Sequence, residues 1–460
     1  MKRRKMMVIL VAALLVLLAA CGTREPAPTE PPTLGTTAPP REGPVVLTGT
    51  VNVEIMGFDW GPAVTKVFLT LDRTVAGVSV TDDSFAVTET KEAYNMANPQ
   101  KHGLTKSQRR VIGAYACDAQ GNPAEESNRI ALVLAYGPEE GSPYCYDMLT
   151  GKNTLCDPYE LEITLTEYAM LETATGELVT GMALGGMVDL KNADYPQLEG
   201  VDLSGVYTGT DGKTLTYGSY APEEDGSKHP LVIWLHGSGE GGTDAALPVL
   251  GNEVTAMYDV GFQETLGGAY VLTPQTPGHW LSHKEDASFR DNPGVSSIYH
   301  ETLMELIEAY VAAHPAIDRN RIYVGGCSNG GFMTMDLIMN HPDYFAAAFP
   351  ICEAYPDAGI TDAQLLGIKE LPLWFVYAEN DNVVDPQAYS TPTVARLRAI
   401  GADVHTSVFE DVHDTSDKYH FADGSPLQYS GHWSWIYFFN NECWENGVSL
   451  WQWLSEQSRE

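Results

Sequence analysis

The sequence predicts an all-β sandwich followed by a larger α/β region with a mostly parallel sheet. Residues from 45 to about 190 contain short runs rich in Val, Ile, Thr and Tyr, separated by turn residues and without a long helical pattern. After residue 200, continuous apolar runs of strand length alternate with helical stretches. Short, regularly spaced strands are typical of a sandwich. Apolar strands that alternate with helices are typical of a parallel sheet covered on both faces.

The first 20 residues have the pattern of a secretory signal peptide. Cations at positions 2–5 precede a short apolar stretch at residues 6–20, and Cys21 follows it. A cysteine directly after Leu-Ala-Ala resembles a bacterial lipobox, which implies cleavage before Cys21 and lipid attachment to its sulfur. We therefore expect an exported bacterial lipoprotein, anchored to the membrane by lipid, at the cell surface or outside the cell. An ordinary signal peptide with an incidental cysteine is the alternative.

The next stretch, up to residue 44, is rich in Pro and Thr and has almost no large apolar side chains. Such a segment cannot bury a core, so we expect an extended, disordered tether. The chain is thus predicted to consist of a signal peptide (1–20), a tether (21–44), a β-sandwich domain (45–195) and an α/β domain (200–460).

Charge and cysteine usage exclude two classes of function. The formal net charge is −34, and nucleic-acid binding needs basic surface, so no nucleic-acid partner is expected. The seven cysteines form no C-x-x-C pair and no Cys/His cluster with zinc spacing, so we predict no metal site. Cys145 and Cys156 are spaced for a possible disulfide, which export permits but does not require.

The individual elements follow from composition and turn residues. The strand runs of the first region are residues 45–56, 64–71, 110–119, 129–136 and 159–167. None of them assembles a nucleophile with a base, so a structural or positioning role is expected. In the second region, a hairpin is predicted around Asp211-Gly212. It precedes strands at 230–237, 269–275, 321–326, 371–379 and 403–411, and helices at 297–314 and 331–340.

A G-x-S-x-G motif occupies residues 326–330, directly between a predicted strand and a predicted helix. That context is the one in which this motif presents a nucleophilic serine on a sharp turn. Gly326 and Gly330 supply the small residues that the turn requires, and Gly331 lets the helix pack closely on the sheet. Ser328 is therefore the predicted nucleophile, and a plain helix N-cap is the alternative reading.

A serine nucleophile needs a base and an acid that orients the base, and in this fold they follow in the order Ser, Asp or Glu, His. Asp381 lies in the loop beyond the 371–379 strand, and Asp385 is its competitor. Among the later histidines, position alone favours His413, which is closest to the end of a strand. His420 and His432 are the other candidates.

The glycine-rich loop at residues 237–242 formally matches G-x-G-x-x-G. A pyrophosphate would sit poorly against Glu240, and no Lys follows the loop, so neither a dinucleotide site nor a P-loop is predicted. When a serine nucleophile follows a later strand of such a sheet, a turn after an early strand is where an oxyanion donor is expected. We expect the backbone N–H of Ser238, or that of Gly239, to act together with the N–H of Asn329.

Taken together, stretches such as "IDRNRIYVGGCSNGGFMTM", "LWFVYAENDNVV" and "GHWSW" resemble the α/β-hydrolase esterases of the polyhydroxybutyrate-depolymerase-like or prolyl-oligopeptidase-like group. Members with an N-terminal immunoglobulin-like domain are the best match. The resemblance is specific over residues 200–460 and looser over residues 45–190. It implies an α/β-hydrolase fold preceded by an all-β immunoglobulin-like sandwich.

The resemblance also implies roles for individual residues. Ser328 matches the nucleophile, Asp381 the acid, and His432 the base within an H-x-x-W pattern, so the resemblance moves the expected base from His413 to His432. Trp280 matches an aromatic residue beside the active-site entrance, and Gly239 is a further candidate substrate contact. Many relatives have Met after the serine, whereas this chain has Asn329 there. Only the backbone N–H is needed at that position.

These observations predict an extracellular serine carboxylic-ester hydrolase that works through an acyl-enzyme and needs no cofactor. Its substrate would be a small-molecule or polymer-borne ester. A serine peptidase of the same fold is an alternative, although the N-terminal region lacks the repeats of a propeller. A catalytically inactive surface-binding protein is the other alternative, against which the complete Ser, Asp and His set argues.

The lipobox interpretation predicts how the chain partitions in cells. Cys21→Ala removes the sulfur to which the lipid would be attached. The variant should therefore leave the membrane fraction or fail to mature. Fractionation and immunoblotting of cells that express the two forms measure this. Unmodified protein that fractionates as freely soluble would contradict the interpretation.

Overall fold

A computed structural model describes residues 43–94, 102–285 and 292–459. The predicted signal peptide, the lipid-attachment residue Cys21 and nearly all of the predicted tether lie outside these residues. Within these ranges, no helix combines the length and the apolar character that a membrane crossing requires.

The N-terminal region consists of strands, as predicted. They are β1 (Val45–Phe58), β2 (Gly61–Ala76), β3 (Phe85–Tyr94), β4 (His102–Arg109), β5 (Val111–Ala116), β6 (Glu126–Leu134), β7 (Tyr144–Asp147), β8 (Lys152–Leu155), β9 (Tyr159–Leu165) and β10 (Val179–Met187). Eight of them pair in the order β4-β3-β9-β10-β1-β2-β6-β5, and β7 pairs with β8 as a separate hairpin.

Strand β1 joins the two halves of the sandwich. Its first residues pair in parallel with β10, and from Gly49 onwards it pairs antiparallel with β2. Both halves contribute to one apolar core, with Val53 and Val67 from one half and Val87 and Ile163 from the other. The five predicted strands are confirmed. The sequence analysis did not find β3, β4, β10 or the β7–β8 hairpin. Polar residues interrupt the apolar pattern of β3 and β4, and most of β4 is exposed.

The second region is built on one eight-stranded sheet. Its strands are β11 (Val201–Thr208), β12 (Thr214–Tyr220), β13 (His229–Leu235), β14 (Tyr270–Gln275), β15 (Ile317–Cys327), β16 (Ala347–Ile351), β17 (Leu373–Ala378) and β18 (Val404–Phe409). Their order is β11-β12-β14-β13-β15-β16-β17-β18. The β11–β12 hairpin is antiparallel, and the strands from β14 to β18 are mutually parallel. Strand β16 is the one that the sequence analysis did not predict.

Helices cover both faces of this sheet. They are α1 (Ala246–Leu250), α2 (Val260–Leu266), α3 (His300–Ala313), α4 (Asn329–Asn340), α5 (Asp362–Gly367), α6 (Ser390–Ala399), α7 (Trp435–Phe439) and α8 (Leu450–Glu456). Strand β13 shows why a continuous apolar run forms here. Leu231, Ile233 and Leu235 enter one core, while Val232 and Trp234 enter the core on the opposite face. The predicted α/β-hydrolase architecture is confirmed.

The β7–β8 hairpin of the sandwich contacts the α/β region. Lys152 Nζ donates a hydrogen bond to the carbonyl of Pro277 (2.6 Å), and His279 Nε2 donates to the carbonyl of Thr150 (3.0 Å). The N-terminal region therefore lies against the loop that follows β14, on the side of the sheet where the strands end.

The cysteines of the described residues are all buried free thiols. Cys145 lies in β7 and Cys156 directly follows β8. Their spacing allowed a disulfide, but in this structure the two cysteines are not bonded to each other.

Candidate active site

Ser328 occupies the sharp turn between β15 and α4. Its backbone angles are φ 55° and ψ −115°, a conformation that residues other than glycine rarely adopt and that is common at functional sites. Its N–H donates to the carbonyl of Ile351 (2.9 Å), and its own carbonyl accepts from Phe332 N–H (2.9 Å). The Ser328 side chain makes no capping hydrogen bond to the helix. The structure therefore does not show the helix-cap alternative.

The glycines around Ser328 are required by close backbone contacts. A Cβ atom on Gly330 would lie 1.8 Å from the carbonyl oxygen of Leu235, and one on Gly326 would lie 2.4 Å from the same oxygen. A Cβ on Gly331 would lie 2.6 Å from Glu353 Cα. Any larger residue would push α4 away from strands β13 and β16, and the turn would lose its position at the edge of the sheet.

Asp381 and His432 form a buried pair. Asp381 lies three residues beyond β17, and its Oδ2 accepts a hydrogen bond from His432 Nδ1 (2.7 Å). Its other oxygen, Oδ1, accepts from the backbone N–H groups of Val383 (2.8 Å) and Val384 (2.9 Å). The carboxylate is therefore fixed from both sides. Because Nδ1 donates to the carboxylate, Nε2 is the nitrogen that is left to accept a proton.

The approach of His432 depends on the glycine before it. A Cβ on Gly431 would lie 2.1 Å from Asn380 Oδ1 and 2.7 Å from the Asn380 carbonyl oxygen. The ring of Trp435 packs edge-on against His432, with 5.6 Å between the ring centroids. The H-x-x-W spacing therefore corresponds to a contact that holds the imidazole in place.

The competing residues have other partners. Asp385 is exposed, and its carboxylate caps a turn by accepting from Gln387 N–H (2.9 Å). The ring of His413 donates to Asp411 (2.6 Å), and the ring of His420 contacts Asp417 (3.0 Å). The strand-end position that favoured His413 therefore does not bring it to Asp381.

The loop expected to supply an oxyanion donor lies beside the serine turn. Ser238–Glu240 forms a single helical turn after β13. A Cβ on Gly237 would lie 3.4 Å from the Sγ of Cys327, the residue before the serine. A Cβ on Gly239 would lie 2.8 Å from Asn153 Nδ2. The β7–β8 hairpin of the N-terminal region therefore borders this loop as well.

The Asn329 side chain has a role that the sequence analysis missed. It is fully buried, and its Oδ1 accepts a hydrogen bond from Leu281 N–H (3.0 Å). Trp280, the neighbour of Leu281, is also fully buried and packs against His236 and Tyr299. Trp280 was expected beside the active-site entrance. Trp280 lies within the loop after β14, and its ring belongs to an apolar core of the α/β region.

Two buried ionisable groups support the glycine-rich loop. Burial lowers the pKa of His236 to about 3, so the ring is neutral. Its Nε2 accepts from Thr276 N–H (3.2 Å), and its Nδ1–H donates to the carbonyl of Gly237 (2.6 Å). Burial raises the pKa of Glu240 to about 7. Below that pH the carboxyl is neutral, so it places no negative charge beside the loop expected to stabilise an oxyanion.

Two other features of the described residues lie outside this site. A cavity of about 650 Å³ opens between the two regions, and neither Ser328, Asp381 nor His432 belongs to its lining. The one group of metal-ligand side chains found in the described part of the chain is formed by three residues of the N-terminal region.

Known protein families match both regions. Residues 52–180 match the family described as esterase Ig-like N-terminal domain, and residues 221–423 match the phospholipase/carboxylesterase family. A solved structure described as a thermostable esterase is similar to both regions together. It has a TM-score of 0.69 and 25% sequence identity, and the match covers 89% of this chain and 100% of that one.

Two polyester depolymerases match part of the chain. A poly(3-hydroxybutyrate) depolymerase from Ralstonia pickettii is 31% identical over 145 residues, which is 31% of this chain and 29% of that protein. A poly(3-hydroxyalkanoate) depolymerase C from Paucimonas lemoignei is 28% identical over 171 residues, which is 34% of this chain and 37% of that protein. The chain thus aligns with about a third of the length of these relatives.

The close approach of α4 to β13 predicts a large penalty for one added methyl group. Gly330→Ala places a Cβ 1.8 Å from a backbone oxygen that has no room to move. Unfolding of the α/β region in urea, followed by Trp fluorescence, should show a loss of about 3 kcal/mol or more.

Gly367→Ala is the matched control, because Gly367 ends helix α5 and a Cβ there would meet nothing within 4 Å. Its stability should change by no more than about 1 kcal/mol. Equal effects of the two substitutions would contradict the contact seen at Gly330.

Proposed function

We propose that this chain, which joins an esterase immunoglobulin-like N-terminal domain to an α/β-hydrolase domain of the phospholipase/carboxylesterase family, is a serine carboxylic-ester hydrolase. The observation that carries the proposal is the 2.7 Å hydrogen bond between buried Asp381 and His432. It lies in the loops at the same edge of the sheet as the strained turn that presents Ser328. A nucleophile, a base and an orienting acid at one sheet edge are the requirements for acyl transfer.

The chemistry follows from these positions. Ser328 Oγ attacks the ester carbonyl carbon while His432 Nε2 accepts the hydroxyl proton. Asp381 keeps the Nδ1 proton on the opposite side of the ring and stabilises the imidazolium. The tetrahedral intermediate then expels the alcohol, which takes the proton from His432, and the acyl group stays on Ser328. Water, deprotonated by the same histidine, hydrolyses the acyl-enzyme and releases the acid.

Backbone N–H groups stabilise the negative charge that develops on the carbonyl oxygen. The N–H of Asn329, at the first residue of α4, and that of Ser238 or Gly239 are the proposed donors. The Asn329 side chain is tied to Leu281 N–H, and the glycine-rich loop is tied to His236. These bonds fix the donors before the substrate arrives, which is what makes such a site effective.

The similarity to two polyester depolymerases supports an ester on a polymer or a small molecule as the substrate. The predicted export signal and lipobox support an enzyme that is anchored outside the cytoplasm and meets its substrate there. The proposed reaction uses only side chains, backbone N–H groups and water.

A kinetic comparison tests the proposed function and its base. Purified protein should hydrolyse p-nitrophenyl butyrate faster than it cleaves Gly-Pro p-nitroanilide.

His432→Ala should lower kcat on the butyrate ester by about 10⁴-fold or more with an unchanged circular dichroism spectrum. His413→Ala and His420→Ala are the matched controls and should retain most activity, because their rings pair with Asp411 and Asp417 and not with Asp381.

Two outcomes would change the assignment. Faster cleavage of the anilide would make the protein a peptidase of the same fold. A folded but inactive His413→Ala, beside an active His432→Ala, would make His413 the base.

A further inference from the structure

Three metal-ligand side chains from separate strands meet at one edge of the N-terminal domain. Glu92 lies in β3, His102 in β4 and Cys145 in β7. One ligand atom from each lies within 4.8 Å of the other two. Cys145 Sγ is 3.9 Å from His102 Nδ1, and the Glu92 carboxylate contacts the same ring nitrogen. In a tetrahedral zinc site, bond lengths to sulfur and nitrogen place those two ligand atoms about 3.5 Å apart. The three side chains are therefore already close to a ligating arrangement.

A second thiol, that of Cys156, lies beside these three ligand atoms, outside the group that is already within 4.8 Å. In the β7–β8 hairpin, Cys145 pairs with Thr154, so Cys156 lies two residues further along on the same face as Cys145. Its Sγ is 3.5 Å from the carbonyl oxygen of Glu92, and its N–H donates to the carbonyl of Pro143 (2.8 Å). Both cysteines are buried, with 3% and 4% of their surfaces exposed. The hairpin thus brings two thiols to the residues of the β3–β4 pair.

The geometry points to a structural Zn²⁺ site formed by Glu92, His102, Cys145 and Cys156, a proposal that does not depend on the esterase function. Two thiols, one imidazole and one carboxylate are ligands that suit zinc, whereas Ca²⁺ and Mg²⁺ prefer oxygen atoms alone. The sequence pattern predicted no metal, because the ligands are not arranged as close pairs along the chain. They meet only through the pairing of β3 with β4 and the packing of the hairpin.

Zn²⁺ binding to this site releases protons from the two thiols. Both thiols are buried, and a thiol binds Zn²⁺ only as the thiolate. Zn²⁺ replaces both thiol protons, which leave as two H⁺, and it takes the place of the hydrogen bond between His102 and Glu92. The site with metal carries a net charge of −1, because two thiolates and one carboxylate surround one Zn²⁺.

The Zn²⁺ site would fix the open end of the β7–β8 hairpin, whose turn reaches the α/β domain. The same hairpin carries Thr150 and Lys152, which hydrogen-bond to the loop after β14, and Asn153, which borders Gly239. Zn²⁺ at the open end of the hairpin therefore holds this contact between the two domains in place.

Metal titration of the full chain tests the proposal. The protein is purified under reducing conditions, stripped of metal and titrated with Zn²⁺ in competition with a chromophoric chelator. We expect one tight site per chain. Co²⁺ in the same site should give visible bands of tetrahedral geometry and a near-ultraviolet thiolate-to-metal absorption. Zn²⁺ should also raise the Tm of the N-terminal domain.

Variants separate the site from adventitious binding. Cys145→Ser should weaken Zn²⁺ binding by more than about 100-fold, since even the loss of a residue that only supports a ligand costs about 10- to 100-fold. His102→Ala changes an exposed residue, so it keeps the test valid if the cysteine variant fails to fold. Cys117→Ser removes a buried thiol of the same domain outside the group and should bind Zn²⁺ as the unmodified protein does.

Three results would overturn the proposal. The first is equal Zn²⁺ affinity in the unmodified protein, Cys145→Ser and His102→Ala. The second is a Co²⁺ spectrum without thiolate absorption. The third is a mass lower by two hydrogens in protein isolated from the producing cells without reductant, with Cys145 and Cys156 cross-linked in one peptide. That result would show a disulfide in place of the metal.

Discussion

The contact between α4 and β13 is the constraint on which the rest of the site depends. The helix can approach the strand only because Gly330 has no side chain at the point where it meets the carbonyl of Leu235. Because the helix lies so close to the strand, the turn before it is sharp, and Ser328 in this turn has strained backbone angles. It also places the N-terminus of α4 beside the glycine-rich loop that follows β13. One close packing contact thus sets the position of the proposed nucleophile and of both proposed oxyanion donors.

The proposed acid and base depend on a similar close approach elsewhere. Asp381 is fixed by two backbone N–H groups, and His432 reaches it because Gly431 can pass within contact distance of Asn380. The two glycine contacts lie on different strand ends of the same parallel sheet. Parallel strands end at one edge, so loops far apart in the sequence converge there. The N-terminal domain takes part as well, because its β7–β8 hairpin borders the loop that contains Gly239.

Local patterns were sufficient to predict some of these features, and tertiary packing determined the others. The turn at Ser328 could be predicted because strand, turn and helix are contiguous in the sequence, and Asp381 could be proposed because it lies in the loop beyond a strand. The pairing of His432 with Asp381 could be expected only from the family resemblance, since a long loop determines which histidine returns to Asp381. The burial of Trp280 could not be predicted locally, because it depends on how the loop that contains this residue packs against His236 and Tyr299. The grouping of Glu92 with Cys145 depends on strand pairing and hairpin packing that the sequence analysis did not predict.

The central claim is that Ser328 is an activated nucleophile, and covalent labelling tests it most directly. The folded protein would be treated with a fluorophosphonate, digested and analysed by peptide mass spectrometry. The account predicts one phosphonylated residue, Ser328, and a labelling rate that falls steeply with Asp381→Ala but not with Asp385→Ala. An adduct on another residue, or no adduct in protein shown to be folded, would contradict it.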